Sequence, residues 1–513
     1  MINSTLRREL GVVLLTAIGI GAMVGSGIYT TPGLIASVSG PLSVLAIVLI
    51  SVITAILMYI LAELGKIYPR AGGIYYFSKE VLGDLSGFIT GLSYYFCCFI
   101  GTAAIIYSFL LYLSYYIPGI AVGLTLTPLG IAIAIAILAI VTIINVIGIK
   151  YGAGLNLILT LVRMAPLLAF IVIGFSKINT NNFQPLAPYG FGSIGLAIAF
   201  GFWMFVGFES LVLVSEEVKQ PEKVIMKSAI ATVVIVSAIY ILLISAFIGA
   251  VNWEGLGIAE KDWKSLGTLS SPLADVSRAL GVMGLAEVMV LGAVIASAGC
   301  FSDWVLLQGR VAYALSRENR LWKPLAYVHP RFGTPSNALI FSSILTAIIM
   351  ILIPSFPNVI LISMITEFIP YGISALSFAV LRRVPRLMLL GYIGFVISTL
   401  YIYWACWPWT LTGVIIAMAS LILYSALVKS TTYLSELKKN AWYIAYLIGL
   451  TLISLLGDRT FEYNNFLPVS PLNVFPMPYD AITVIVFSTA IFAWAYKTQK
   501  QFFKLDVVQL HPL

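Results

Sequence analysis

The chain has 513 residues, 60% of them hydrophobic and only 10% charged, with a formal net charge of +8 and a mean hydropathy of +1.01. Ordinary soluble chains carry about 25% charged residues, so this composition excludes a soluble globular protein. Apolar runs near the roughly 20 residues needed to cross a bilayer recur from end to end, and they are continuous rather than alternating, which excludes a β-barrel.

The fold class expected is an all-α polytopic membrane protein of about 14 transmembrane helices. The spans read from the sequence are 11–38, 41–62, 84–116, 128–148, 154–175, 193–214, 228–250, 282–313, 336–354, 358–380, 388–407, 411–428, 441–457 and 480–496. Arg7 and Arg8 precede the first run without a small-residue cleavage site, so that run reads as a retained span. Placing the N-terminus in the cytoplasm puts Lys177, Lys261, Lys264, Arg278 and Arg459 outside and Arg163 within a span, leaving 23 of the 29 basic residues inside. That asymmetry follows the positive-inside rule and predicts a multi-pass protein of the cell membrane with both termini cytoplasmic. Dispersed in short loops, the basic residues mark topology and no nucleic-acid partner. The four cysteines all fall in apolar runs, so neither a disulfide framework nor a metal site is expected.

Two spans read poorly as plain helices. The first contains IGIGAMVGSGIYTTPG, residues 18–33, and is expected to break near Gly25–Gly27 because glycine frees the backbone and Pro32 removes a donor. At membrane depth a broken helix is tolerated only where its freed backbone groups are buried, line a cavity or bind something. The sixth span contains AFGFWMFVGFES, residues 199–210, with Gly201 and Gly207 flanking aromatic bulk and Glu209 at its end. Interrupted spans at matching places in two halves point to an inverted-repeat transporter. On that reading residues 1–180 form the first repeat (helices 1–5), 190–386 the second (helices 6–10), and 387–513 accessory helices 11–14 with a tail. The loop 251–281, with Trp253, Trp263 and the amphipathic stretch Pro272 to Leu280, reads as an extracellular cap.

Four stretches carry a family resemblance: GSGIYTTPG (25–33), AELGKIYPRAGGIYYFSKEVLG (62–83), FWMFVGFESLVLVSEEVKQPEK (202–223) and GRVAYALSRENRLWKPLAYVHPRFGTPSNAL (309–339). On these the chain resembles the amino acid–polyamine–organocation (APC) superfamily of amino acid permeases, over roughly residues 10–385. The resemblance implies a leucine-transporter-type fold of two inverted five-helix repeats with discontinuous helices 1 and 6, alternating access, and an amino acid or related amine as substrate. It implies no cofactor. Membrane lipid is the other expected partner, with the protein a monomer or homodimer.

A zwitterion held at mid-membrane needs both ends satisfied. A helix N-terminus offers free N–H groups and a positive dipole end to a carboxylate. The break at Gly25, Ser26 and Gly27, with Ile28 opening the next half-helix, suits that group. By resemblance, carbonyls near Ile20 and Ala22 and those around Phe202 and Phe205 hold the amine, beside Gly207. The competing reading is that these glycines are close-packing positions between helices. Trp203 aligns with an aromatic that lies over substrate in related permeases, against simple helix packing. Glu209 reads either as a proton-linked residue near the sixth-span break or as an acceptor for backbone N–H groups of the broken first span.

Arg163 lies mid-span, 13 residues beyond Lys150 and too deep to snorkel. Many sodium-independent relatives carry a lysine at the matching place, where sodium-coupled members of the wider fold bind a cation. A fixed charge there argues against sodium, and because arginine does not deprotonate it departs from a lysine-type proton shuttle. The partner expected for it is Asp303 in the eighth span, the alternative being backbone carbonyls or hydroxyls such as that of Ser302. Glu367, beside Pro370 and Gly372, is a further intramembrane carboxylate that lines the pathway in this reading. Glu63 and the Tyr68–Pro69–Arg70 segment read as part of a cytoplasmic gate. The function expected is a secondary active transporter of amino acids or related amines, working by proton coupling or exchange. Against it stand a membrane enzyme, disfavoured by two histidines far from any nucleophile pattern, and a transporter-like sensor, which calls for a soluble signalling tail.

Overall fold

The structure, a computed structural model, describes residues 10–69, 73–148, 153–215, 218–458 and 470–503. It is almost entirely helical, with one short antiparallel strand pair, β1 (Ala121–Val122) and β2 (Thr125–Leu126). Ten helical segments among the described residues are long and apolar enough to cross a membrane, or eleven if a bent pair counts as one span. The protein is therefore an all-α, multi-pass membrane protein.

The first predicted span is two helices, α1 (Val12–Met23) and α2 (Gly27–Ser39), neither of which crosses a bilayer alone. A 3-10 turn at Gly40–Leu42 leads into α3 (Ser43–Ile67), the amphipathic α4 (Gly73–Leu82) and the long α5 (Asp84–Leu113). Helix α6 (Pro128–Ile147) starts with proline at its first turn, and the Thr127 hydroxyl accepts from the Gly130 N–H at 3.2 Å. It stops at Gly148 in the left-handed conformation, φ +81°. Helix α7 (Ala153–Ser176) carries Arg163.

The sixth predicted span is interrupted as well. It consists of α8 (Ile194–Gly201), a 3-10 turn over Phe202–Phe205, an irregular stretch through Glu209, and the single turn α9 (Ser210–Leu213). Then come α10 (Pro221–Ala250), the loop helices α11 (Trp253–Leu256) and α12 (Pro272–Ala279), α13 (Leu285–Arg317), α14 (Ser336–Leu352), α15 (Phe356–Arg382) and α16 (Pro385–Trp404). The last four are α17 (Trp409–Leu427), α18 (Ser430–Lys439), α19 (Ala441–Leu456) and α20 (Tyr479–Phe502). The bent pair is α18 and α19, at 57°.

Helix α15 forms the centre. It is buried on every side from Phe356 to Leu381, and it packs against α5 and α16. A helix that is apolar all round has no face to give to solvent or lipid, so the carboxylate it carries, Glu367, sits in protein rather than in bilayer. Around it α1, α2, α8, α10 and α13 bring the two interruptions together. Peripheral helices keep one exposed apolar stripe, as α14 does with Ile340, Ile344, Ile348 and Ile351. The loop 251–281 folds over α2. Trp253 meets Trp263 edge-on at 4.8 Å and donates its Nε1–H to Asn182 at 3.0 Å. A methyl on Gly33 would come within 2.6 Å of the Leu266 carbonyl, so α2 and this loop touch backbone to backbone.

Candidate functional site

The first break falls one residue earlier than the glycines suggest. The Val24 N–H makes the last helical bond, to Ile20 O at 2.7 Å, and Gly25 N–H turns back to Met23 O at 2.9 Å. Helix α2 starts at Gly27, so the N–H groups of Gly27 and Ile28 open a helix and have no carbonyl one turn behind them. The chain cannot be padded here. A Cβ on Gly25 would stand 2.5 Å from Cys300 Sγ on α13, and one on Gly27 would stand 3.0 Å from both Met204 Cα and Trp203 O. Small-residue packing and an open helix end therefore coincide at the same glycines.

In the sixth span, Val206 is extended and Gly207 has φ +106°, a conformation that L-residues with a Cβ rarely adopt. A Cβ there would lie 2.6 Å from the Ala22 carbonyl oxygen. The two interruptions thus meet at two points, Gly27 on Trp203–Met204 and Gly207 on Ala22. Each break supplies the glycine the other needs.

The freed carbonyls are mostly spoken for. Tyr240 donates its hydroxyl to Met23 O at 2.8 Å, Ser108 and Thr30 donate to Ser26 O at 3.2 Å each, and Tyr112 donates to Tyr29 O at 2.5 Å. Arg163 Nη1 donates to Gly21 O at 2.9 Å, and the Arg163 carbonyl accepts from Tyr29 at 2.8 Å. Side-chain donors are also left over at the breaks: the Ser210 hydroxyl and the buried indole Nε1–H of Trp203 have no partner, and the Trp203 Cδ1 lies 3.1 Å from where a Gly27 Cβ would be. The Trp203 ring faces Trp304 of α13 at 6.2 Å. Phe202 turns its ring away, into a cluster with Phe368 at 4.7 Å and Tyr401 at 5.5 Å. Phe205 packs edge-on against Tyr240 at 4.9 Å.

The expected Arg163–Asp303 pair is not present. Among the described residues five ion pairs form and neither group is in any of them. Arg163 takes the other partner the sequence left open, a backbone carbonyl. Gly299 is the reason: its missing side chain leaves room for the guanidinium, since a Cβ there would be 1.8 Å from Nη2. Gly299 is one helical turn short of Asp303, which is exposed. Ser302, half-buried, receives Asn145 Nδ2 on its carbonyl at 3.4 Å and does not reach Arg163. The Nε–H of Arg163 is buried without a partner.

Glu209, 2% exposed, accepts from Gly207 N–H at 3.1 Å and lies 3.1 Å from the Tyr371 hydroxyl and 3.5 Å from that of Tyr94. It therefore fixes the irregular turn of its own span. Glu367, fully buried, contacts the same Tyr371 hydroxyl and lies 3.4 Å from Cys97 Sγ. It shares that hydroxyl with Glu209. On the face rich in basic residues, Glu63 binds Lys66 and Arg382, each at 2.5 Å, and Asp84 binds Arg320 at 2.5 Å. Glu318 contacts Lys79 and Tyr75. Burial works against its charge, but those two bonds and nearby Arg320 outweigh it and hold the carboxyl below its usual range. Arg70 lies outside the described residues.

Sequence reasoning passed over Trp304, Cys300, Gly299, Tyr240, Tyr94, Tyr371 and Cys97. Trp304 and Cys300 flank Asp303 in SAGCFSDW, and their spacing was the only available signal. The tyrosines sit in ordinary apolar runs, and nothing local marks them.

Two interrupted helices locked back to back inside a multi-pass helical protein, with an open helix end and an orphan donor where they meet, define a candidate solute site within the membrane. Residues 10–453 match the family described as amino acid permease, and the chain belongs to that family, within the APC superfamily. The chain is 26% identical to the glutamate/serine transporter AimA of Bacillus subtilis (strain 168), over 97% of this chain and 95% of that protein. It is 27% identical to the aspartate-proton symporter of the same organism, over 94% and 95% respectively. It is 28% identical to the serine/threonine exchanger SteT, also of Bacillus subtilis (strain 168), over 74% and 85%.

Proposed function

We propose that the protein is a secondary active transporter that moves amino acids or related amines across the cell membrane by alternating access, driven by protons or by exchange and not by sodium. The observation that carries this reading is the junction of the two breaks, where α2 opens at Gly27 and Ile28 beside Trp203, whose buried Nε1–H has no partner. The helix end and the indole are donors for a carboxylate, and Trp203 and Trp304 offer aromatic faces to an amine. Relatives named for glutamate, aspartate, serine and threonine support an α-amino acid as substrate. Residues 1–180 and 190–386 are proposed as the inverted repeats, residues 387–513 as the accessory part, and about 14 helices as the full complement.

Arg163 supports the exclusion of sodium. Its guanidinium already donates to Gly21 O, so a positive charge that cannot leave occupies the end of α1. The net charge asymmetry supports cytoplasmic termini.

Purified protein in proteoliposomes, tested with neutral, acidic and basic amino acids and polyamines, at two pH values and with or without sodium, tests the proposal. Saturable flux of at least one amino acid, indifferent to sodium, is expected. Flux of none of them, or flux that requires sodium, defeats it.

A further inference from the structure

We propose that Glu209 and Glu367 form a single proton-binding site, bridged by Tyr371, in which the proton resides on Glu367 and the negative charge on Glu209. This deepens the transport reading and rests on it for its consequence, though not for its chemistry.

The Tyr371 hydroxyl oxygen is within hydrogen-bond reach of an oxygen from each carboxyl group. A phenol has one hydrogen, and an ionised carboxylate can only accept. If both groups were ionised, one of the two contacts would set lone pairs against lone pairs inside a dry core. With one proton added the chain closes: the Glu367 O–H donates to Tyr371 Oη, and the Tyr371 O–H donates to Glu209 Oε2. Two carboxylates sharing a site in this way hold one proton between them.

The other contacts decide where the charge sits. Glu209 receives the Gly207 N–H at 3.1 Å and has the Tyr94 hydroxyl at 3.5 Å. Glu367 has only the weak thiol donor of Cys97, at 3.4 Å. The ion belongs on the better-solvated group. The surroundings offer no counter-charge. The titratable groups facing the pair are Tyr94, Cys97 and Cys98 of α5, Tyr371 on the same helix as Glu367, and Tyr401 of α16. No Lys, Arg or His among the described residues joins them.

The site is wired to the breaks. Glu209 holds the Gly207 amide, and Gly207 rests on the Ala22 carbonyl of the first break. When Glu367 gives its proton to water, two negative charges share one apolar site and must separate. Separation moves α15 away from the turn at Gly207 and so loosens the junction of the two breaks. Proton loss and opening of the solute site are then one event.

Infrared difference spectroscopy of the full chain reads the protonated carboxyl directly. Wild type is expected to show the carbonyl stretch of a protonated carboxylic acid at neutral pH, and E367Q to lose it. E209Q keeps a protonated or amide partner at both positions and serves as the second variant. In parallel, proteoliposomes compare pH-gradient-driven accumulation of L-serine or L-glutamate with counterflow of the same solute. In E367Q the ratio of the first to the second is expected to fall by about tenfold, within the ordinary range of coupling between sites. A carboxylic acid band that survives E367Q overturns the proposal, as does an unchanged ratio, or thermal stabilisation by sodium that disappears in E367Q. Absence of pH-driven accumulation in wild type defeats the proton-driven form of the transport reading, while the infrared band still decides the shared proton.

Discussion

Gly207→Ala isolates the junction between the two breaks. The substitution adds one methyl and no charge. Its first cost is conformational, because at φ +106° a Cβ residue is held outside its usual wells, at about 1–3 kcal/mol. Its second cost is steric. The new methyl would stand 2.6 Å from Ala22 O and 2.8 Å from Ala22 C, and both belong to backbone that no rotamer change can move. Overpacking of that kind costs about 1–3 kcal/mol. Together these give about 2–5 kcal/mol, allowing for partial relaxation. Gly201→Ala, six residues earlier, is the matched control. Its Cβ meets only the flexible Cδ1 ends of Ile50, Ile35 and Ile47, at 2.7, 3.2 and 3.4 Å, and it lies in helix, where alanine is favoured by about 1 kcal/mol. Equilibrium binding of L-serine or L-glutamate and thermal melting in detergent are the assays. G207A should weaken binding by about 30-fold or more, since about 2 kcal/mol converts to that factor, or else lower the melting temperature clearly. G201A should leave both near wild type. G207A protein that binds and melts like wild type refutes the reasoning that the two breaks are locked through this contact.

Gly299→Ala should displace the Arg163 guanidinium, 1.8 Å from the added Cβ, and so strip the Gly21 carbonyl of its charged donor. Uptake in proteoliposomes should fall by about tenfold or more, given that bonds to charged groups are worth about 1.5–3 kcal/mol; equal uptake would show that the bond is dispensable. Trp203→Phe keeps an aromatic ring, though a smaller one, and removes the orphan N–H. If that donor meets the solute, affinity drops by about three- to tenfold, corresponding to about 1 kcal/mol for a neutral bond, and unchanged affinity returns Trp203 to a packing role. Asp275 in the 251–281 loop is pushed up from 3.8 to about 6 by burial, only partly offset by the Ser271 amide and Arg278. An acid with a raised value favours the folded state most when protonated, so that contribution is full below about pH 4 and is lost as pH rises through about 6. Melting curves should show wild type losing stability relative to D275N across that interval, and parallel curves for the two proteins would contradict the assignment.

Local composition made the membrane helices and their interruptions legible, because hydropathy and glycine act on the residues that carry them. Gly25–Gly27 marked the first break to within a residue, and AFGFWMFVGFES marked the second. Glu209 was legible as an intramembrane carboxylate at the second break, but the amide it accepts from is that of Gly207 in its own span and not one of the broken first span. Arg163 was legible as a deep fixed charge. The choice between its two expected kinds of partner was not, because the missing side chain of Gly299, 136 residues away in sequence, decides where the guanidinium lies. Glu367 was visible as an intramembrane carboxylate beside Pro370, but nothing in its neighbourhood reveals that α15 is buried on every side.

By itself, then, the sequence determined that this is a multi-pass helical protein and where two of its helices break. These are properties of single segments, set by transfer from water and by backbone freedom. Tertiary structure alone decided what the breaks face: Gly207 against Ala22, Gly27 against Trp203 and Met204, and two glutamates on one tyrosine hydroxyl. Those contacts join segments more than a hundred residues apart, and they depend on helix rotation and depth, which a hydropathy pattern without polar alternation leaves free.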